Sequence, residues 1–357
     1  YTTLFRSLYP RHSPFAIVFN DSYEIGHGDN GNFTKLKTDG GKMILGFDIG
    51  GTKCAVITAN VNGGEIKLLK KEKCATRFDI SPEEMIDGLI RSAENILDGA
   101  RPEKIGISCG GPLDSRNGII LGPPNLPGWD EVHISERISQ HFGVPALLQN
   151  DANACAVAEW KFGAGMGADN MVFLTFGTGL GAGLILNGRL YTGTNDNAGE
   201  AGHIRLERFG PVGYGKAGSF EGFCSGGGIA KLGCSMALEA LQSGRQPAYF
   251  KKGMNESDVT AKAIAEAADA GDETAINVYR VCGEHLGAGL SVLIDILNPE
   301  KIVIGSVFAR SEHLLRKYAE EVIANEALPQ AAKCCKIVPA ELGEKIGDYA
   351  AIATALL

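Results

Sequence analysis

The sequence predicts an α/β chain made of two related halves that face each other across a cleft. Three observations predict this: a short glycine loop between two apolar runs near Met43, a second such loop mid-chain, and apolar strand-like runs interleaved with helix-periodic segments elsewhere. The first device reads MILGF, DIGGTK, CAVITANV, and then the turn signal NGG at Asn62. The second reads MVFLTF, GTGLGAG, LIL, and then Asn187-Gly188. Asn-Gly between apolar runs is a strong hairpin signal, because a type I′ turn needs positive φ at both central residues. Backbone N–H groups in such loops form anion-binding hollows, so the pair points to phosphates held from both sides of a cleft. Either loop alone is also compatible with an ordinary tight turn.

The elements follow in order. Residues 1–42 lack hydrophobic periodicity, and they have neither the basic start nor the apolar core of a signal peptide. They are expected to be an unstructured or artefactual extension, with the fold beginning at Met43. SPEEMIDGLIRSAENILDGA reads as a helix opened by a capping box, Ser81 with Glu84, and by Pro82 at the first helical position. KIGISCGG and PALLQND read as buried strands and ANACAVAEWKFGA as the helix after them. Later, ETAINVYRVCGEHLGAGLSVLIDIL and SEHLLRKYAEEVIANEA read as helices, and KIVIGSV and CKIVPAEL as strands. The C-terminal KIGDYAAIATALL is expected to be a helix that rejoins the first half. The expected division is 43–150 plus 340–357 as a small α/β domain and 151–339 as a large one. The second loop also fits a dinucleotide fingerprint, Gly177-x-Gly179-x-x-Ala182. That motif needs a helix directly after the glycines, whereas LILNGRLY is short, apolar and broken by Asn187-Gly188, as a hairpin arm is.

Composition narrows the function classes. Hydrophobic residues at 44% and charged residues at 21% are the proportions of a soluble globular protein, and 357 residues suffice for two cores. A formal net charge of -8 with no Lys/Arg run leaves no electrostatic footprint for a nucleic acid. No apolar run approaches the roughly 20 residues that span a bilayer, so no membrane partner is expected. Nine cysteines without a CxxC pair read as reduced thiols of a cytoplasmic protein.

Candidate site residues lie in the non-periodic, glycine-rich stretches. PNLPGW (124–129) stands out first, and QNDANA then puts Asn150 and Asp151 where an apolar strand ends and a helix begins. Asp is a preferred helix cap, and the C-terminal end of a strand is also where open α/β sheets hold ligands. NAGEAGHI supplies Glu200 and His203, and GSFEG supplies Glu221. Such groups suit vicinal hydroxyls through charge-assisted hydrogen bonds, and they equally suit exposed loop positions.

DIGGTK, CGGPLD, PNLPGW, NDANACAVAEW, TFGTGLGAG, GEAGHI and IVIGSV together carry a resemblance. In order and spacing they are similar to the ROK family of sugar kinases and related repressors, within the hexokinase–actin ATPase superfamily, over essentially all of Met43 to Leu357. The resemblance implies two RNase H-like domains of the actin/hexokinase type. It implies ATP-dependent phosphorylation of a hexose hydroxyl, glucose to glucose 6-phosphate first, with N-acetylmannosamine, N-acetylglucosamine or fructose as alternatives. It assigns Asp48, Gly50, Gly51, Thr52 and Lys53 to a first phosphate loop, with Asp48 near Mg²⁺, and Thr175, Gly177, Thr178 and Gly179 to a second. Gly305 and Ser306 fall on the adenosine side, and Asn150, Glu200, His203 and Glu221 on the sugar. Asp151 becomes the catalytic base, and a homodimer is implied. These residue types suit phosphoryl transfer, in which the protein positions groups, neutralises charge and accepts one proton.

A sugar-responsive regulator on the same scaffold is the alternative from another class, although nothing before Met43 has amphipathic helical periodicity or a basic face. A sugar-binding protein without catalysis fits less well, because Asp151 and both loops are intact. The chain departs from the family at one place. Many members carry a zinc-binding C-x-C-G-x-x-G-C-x-E segment after the GH motif. Here VGYGKAGSFE puts Val212, Tyr214 and Ser219 at the cysteine positions. No structural zinc is therefore expected, and no residue is assigned as the ligand of a resident metal. Segment 205–221 is expected to be held by packing, with Phe209, Tyr214 and Phe220 as an apolar clasp.

Overall fold

The computed structural model describes residues 41–62, 65–251 and 253–357. The expected extension, apart from Gly41 and Lys42, lies outside the described residues, as do Gly63 and Gly64 of the first turn signal.

Two five-stranded sheets carry the fold. In the first, β1 (Lys42–Ile49), β2 (Lys53–Asn62) and β3 (Glu65–Ala75) form an antiparallel meander. β4 (Lys104–Cys109) and β5 (Ala146–Asn150) then add in parallel on the far side of β1, giving the order β3-β2-β1-β4-β5. The second sheet repeats this plan. β6 (Met171–Leu174), β7 (Ala182–Leu186) and β8 (Arg189–Tyr191) make the meander, and β9 (Lys301–Ile304) and β10 (Lys336–Pro339) run parallel to β6. Its order is β8-β7-β6-β9-β10. Equal order and equal strand directions are the duplication that the two glycine loops predict. Asn187 (φ 53) and Gly188 (φ 67) both take the left-handed conformation that a type I′ turn demands.

The helices of more than two turns are α1 (Pro82–Leu97), α2 (Ile134–Phe142), α3 (Asp151–Phe162), α4 (Gly226–Gln242), α5 (Ala261–Asp269), α6 (Glu273–Leu297), α7 (Val307–Glu326) and α8 (Ile346–Thr354). Both halves of the α1 capping box form, with Glu84 N–H on Ser81 Oγ at 3.2 Å and Ser81 N–H on Glu84 Oε2 at 2.9 Å. The sequence reading does not include α2, α4 or α5. α4 begins GGGIAKLG, a poor helix former, but packing requires the glycines. A Cβ on Gly228 would lie 2.2 Å from the Gly222 carbonyl oxygen, and Gly226 N–H donates to Gly177 O at 2.7 Å. None of these helices is long and apolar enough to cross a membrane, among the described residues. None of the nine cysteines is in a disulfide among the described residues.

Missing side chains dock two helices onto the sheets. Gly46 and Gly106 are register partners on β1 and β4, and α8 lies on them. A Cβ on Gly106 would stand 2.1 Å from Ala351 O and 2.6 Å from Ala355 N. α3 rests likewise on β7, where a Cβ on Gly183 would meet that of Ala156 at 2.4 Å. α3 and α8 pack on each other and share one core with Ile44 and Ile57 of the first sheet and Met171, Phe173 and Val303 of the second. The buried Glu159 of α3 fastens this layer, accepting the N–H groups of Ala164, Glu341 and Leu342. Burial raises its pKa against those three donors, which pull it down.

Candidate active site

The C-terminal ends of β5, β6 and β9 lead into one cleft, and the second glycine loop begins there. A cavity of about 780 Å³ fills it. Asn150, Asp151, Thr175, Gly177, Thr178, Gly179, Glu200, His203, Glu221 and Ser306 all border it, so the structure gathers these sequence-predicted residues from segments far apart in the chain.

β5 hands directly to α3. The cap of that helix is Asn150 and not Asp151: Asn150 Oδ1 accepts the N–H of Ala152 at 3.0 Å and of Asn153 at 3.5 Å. Behind it the buried Gln149 Oε1 accepts the Asn150 N–H and the Asn153 amide. Asp151 is thereby fixed at the first helical position with its carboxylate open to the cleft. The crowding cleft walls hold its pKa above the usual carboxylate range. The Ala152 N–H opposes this, and the negative charge of Glu200 adds to it.

The second loop is closed at its base by Thr175, whose Oγ1 accepts Gly181 N–H at 2.9 Å while Thr175 N–H donates to Gly181 O at 3.0 Å. Glu221 Oε2 accepts Leu180 N–H at 2.9 Å, so this predicted sugar ligand also holds the loop. The N–H groups of Thr178 and Gly179 meet no partner among the described residues, and both residues face the cavity. Ser306, at φ 48, joins β9 to α7 on the same wall, and Gly305 N–H returns to Leu174 O.

The first loop stands one layer back. Asp48, Gly50, Gly51, Thr52 and Lys53 do not line the cavity; Gly51 packs against Asn125, which does, and a Cβ on Gly51 would be 2.4 Å from Asn125 O. The loop is folded by Gly50 N–H on Lys53 O and by Thr76 Oγ1 on Gly50 O. Asp48 packs against Gly347 at the start of α8, beside Asp348, which pairs with Lys71. Burial first, then repulsion from Asp348 and Asp151, pushes the Asp48 pKa up to about 6, although Lys71 pulls it down.

This shift has a checkable sign. Between pH about 4 and 6 the folded chain keeps a proton on Asp48 that the unfolded chain has lost, so this group favours folding less as pH rises through that window. Asp48→Asn is therefore expected to stabilise the ligand-free protein at pH 8 by roughly 1–3 kcal/mol. Urea unfolding across pH should show that advantage shrinking below pH about 6. A pH-independent difference would refute the assignment.

PNLPGW and CGGPLD hold site residues that no local pattern marks as such. Asn125, Gly111 and Pro112 line the cavity from those motifs. Asp196 and Asn197 were also missed. Asp196 crosses the cleft edge to Ser115, accepting its N–H at 2.7 Å and its hydroxyl at 2.8 Å. The expected apolar clasp over 205–221 is not what forms. Phe220 is buried, but Phe209 and Tyr214 are 77% and 75% exposed. Polar contacts hold the segment instead: Lys216 Nζ donates to His203 O, Lys231 Nζ to Val212 O, and Arg205 to Ala217 O, while the buried Ser219 caps Gly222. Flexible cationic side chains reach carbonyl oxygens that aromatic packing would leave unsatisfied.

Two sheets of one topology over a shared cleft, with a glycine loop from each, define the actin/hexokinase class of two-domain proteins. The chain belongs to the ROK family, whose model matches residues 44–356. It is 33% identical over 322 residues to a glucokinase of Halalkalibacterium halodurans, covering 86% of this chain and 92% of the relative. Among solved structures it is similar to a ROK glucokinase from Streptomyces griseus in complex with glucose and AMPPNP. That likeness has TM-score 0.70 and 28% identity, covering 88% of this chain and 99% of the other. It is also similar to a ROK transcriptional regulator, a homologue of the E. coli MLC protein, with TM-score 0.76 and 27% identity over 89% of this chain and 79% of that one.

Proposed function

We propose that this protein is an ATP-dependent hexose kinase that converts glucose to glucose 6-phosphate. The observation that carries the reading is Asp151: a carboxylate with a raised pKa, open to a cavity that it shares with an unpaired pair of loop N–H groups and with Asn150, Glu200 and His203. Asn150, Glu200, His203 and the remaining Glu221 oxygen bind sugar hydroxyls. Asp151 takes the proton of the reacting hydroxyl, and its raised pKa makes it a better acceptor. Thr178 and Gly179 N–H groups, with Thr175 and Gly177 shaping their loop, hold the ATP phosphates. Gly50, Gly51, Thr52 and Lys53 meet those phosphates from the other side, and Gly305 and Ser306 border the adenosine.

The donor set fits Mg²⁺. Burial, and then the negative charge of Asp348 and Asp151, raise the Asp48 pKa beyond what Lys71 and Lys53 pull down, so a cation beside it is favoured, and Mg²⁺ typically uses one or two carboxylates plus substrate phosphates. Asp48 would hold the ion, and Mg²⁺ supplies neutralisation of charge on the transferred phosphoryl group. Segments 43–150 with 340–357, and 151–339, form the two domains that close on the sugar. A cytoplasmic homodimer without nucleic-acid or membrane partners completes the reading.

N-acetylmannosamine, N-acetylglucosamine and fructose are the next acceptors to try. A sugar-responsive regulator is the second reading, favoured by the likeness to the MLC homologue; a poised Asp151 favours catalysis. Coupled ADP-release assays over about ten sugars decide between them, the scale of discrimination between close analogues being roughly 10–200-fold in kcat/KM. Turnover is expected with glucose foremost, and ligand binding without turnover would support the regulator. With Val212, Tyr214 and Ser219 in place of thiolates, zinc is expected well below one per chain by elemental analysis. A chelator in excess Mg²⁺ should leave activity unchanged.

A further inference from the structure

The turn at Tyr214 breaks a local rule with no structural return. Val212–Gly213 and Lys216–Ala217 form a two-stranded hairpin in which Gly213 faces Lys216, leaving Tyr214 and Gly215 as a two-residue turn. Both have positive φ, 42 and 74, which is the type I′ pattern. The first central position of that turn is one for Asn, Asp or Gly. A bulky aromatic at positive φ is strained, and packing normally over-determines such a residue. Here the side chain is 75% exposed and buries little of its ring. What it does touch is the cavity, which Tyr214 helps to line.

The hairpin is also fixed firmly to the site. Lys216 Nζ donates to the carbonyl oxygen of His203 at 2.6 Å, and Lys231 Nζ to that of Val212 at 2.7 Å. Gly213 lies so close to the turn carrying Glu221 that a Cβ there would be 2.5 Å from Gly222 N. The tip is thus held between the segments that carry His203 and Glu221, and the Tyr214 ring is carried on a rigid arm.

We infer that Tyr214 is a specificity-determining residue whose ring forms the outer wall of the sugar pocket, lying against the C–H face of a hexose ring. This rests on the sugar-kinase reading of the cavity. A phenol suits the task, since its apolar face matches the carbons between the sugar hydroxyls and its O–H keeps a polar rim. The strain at φ 42 persists because the ring serves the ligand and not the fold.

Tyr214→Asn separates the two roles, because Asn is a preferred residue at that turn position and keeps the hairpin. The expected result is a sugar KM about ten-fold higher with kcat within about two-fold, and an unchanged or higher melting temperature. Phe209→Ser, at an equally exposed aromatic of the same segment that does not line the cavity, should leave KM unchanged. An unchanged KM in Tyr214→Asn overturns the inference, and so does a melting temperature lowered by several degrees, which would make Tyr214 structural. Calorimetric titration of both proteins with glucose and the other candidate sugars keeps the two readings apart. If the wild type binds a sugar but transfers no phosphate, the kinase reading fails, and the ratio of the two Kd values still judges Tyr214. If the wild type binds none of them, the inference falls with it.

Discussion

Asp151→Asn is expected to lower kcat by about 10²-fold or more while changing sugar affinity little, since general-base assistance is worth roughly 10²–10⁴. Asn keeps the volume and an oxygen that can accept the Ala152 N–H, as Asp151 Oδ1 does at 2.8 Å, so the helix start survives. What it cannot do is take a proton. It also ends the repulsion that Glu200 exerts on this position, which favours sugar binding if it changes it at all. Steady-state kinetics with a calorimetric sugar Kd on the same preparation checks both halves of the statement. A variant that keeps about a third of wild-type kcat would remove Asp151 from the mechanism.

The second large effect is on stability. Gly106→Ala places a methyl group against the backbone of α8 at Ala351 and of its C-cap Ala355, which cannot rotate away as a side-chain tip does. We expect a loss of about 3 kcal/mol, the upper part of the usual overpacking range. The melting temperature should fall by roughly 4–5 °C, at about 2 cal/mol/K of unfolding entropy per residue. Gly88→Ala is the control: it lies within α1, where the added Cβ meets only the end of the Arg91 side chain at 3.8 Å. That change should stabilise by roughly 0.5–1 kcal/mol through helix propensity. Equal outcomes for the two would show that α8 does not lie on β4 as described.

How far the sequence could be read depends on where the deciding forces act. α6 was legible over its whole length, because one long apolar stripe of helical period fixes both ends. The hairpin at Asn187-Gly188 was legible from turn chemistry alone, and the glycine loops from their repetition. α4 was not, because its glycines answer to the second loop and to Gly222, contacts that no local pattern contains. Asn125 escaped for a similar reason: PNLPGW looks like a loop until Gly51 is seen against it. The apolar clasp was an error of kind. Aromatic residues in a segment without metal ligands suggested packing, yet the donors that hold it are Lys216 and Lys231, whose long chains make them poor markers of contact in a sequence.

The surface between α3 and α8 gives the molecule a bearing. Each helix is seated on a different sheet, and the core they share is rich in alanine, including Ala154, Ala158, Ala350 and Ala353. Large interdigitating side chains would lock such a contact at one angle, whereas methyl groups present shallow ridges that slip past one another at small cost. Glu159 pins one end of the bearing to the 341–342 loop. Any change in the width of the cleft would then be a rotation about that pin, with the strand pairing inside each sheet left intact.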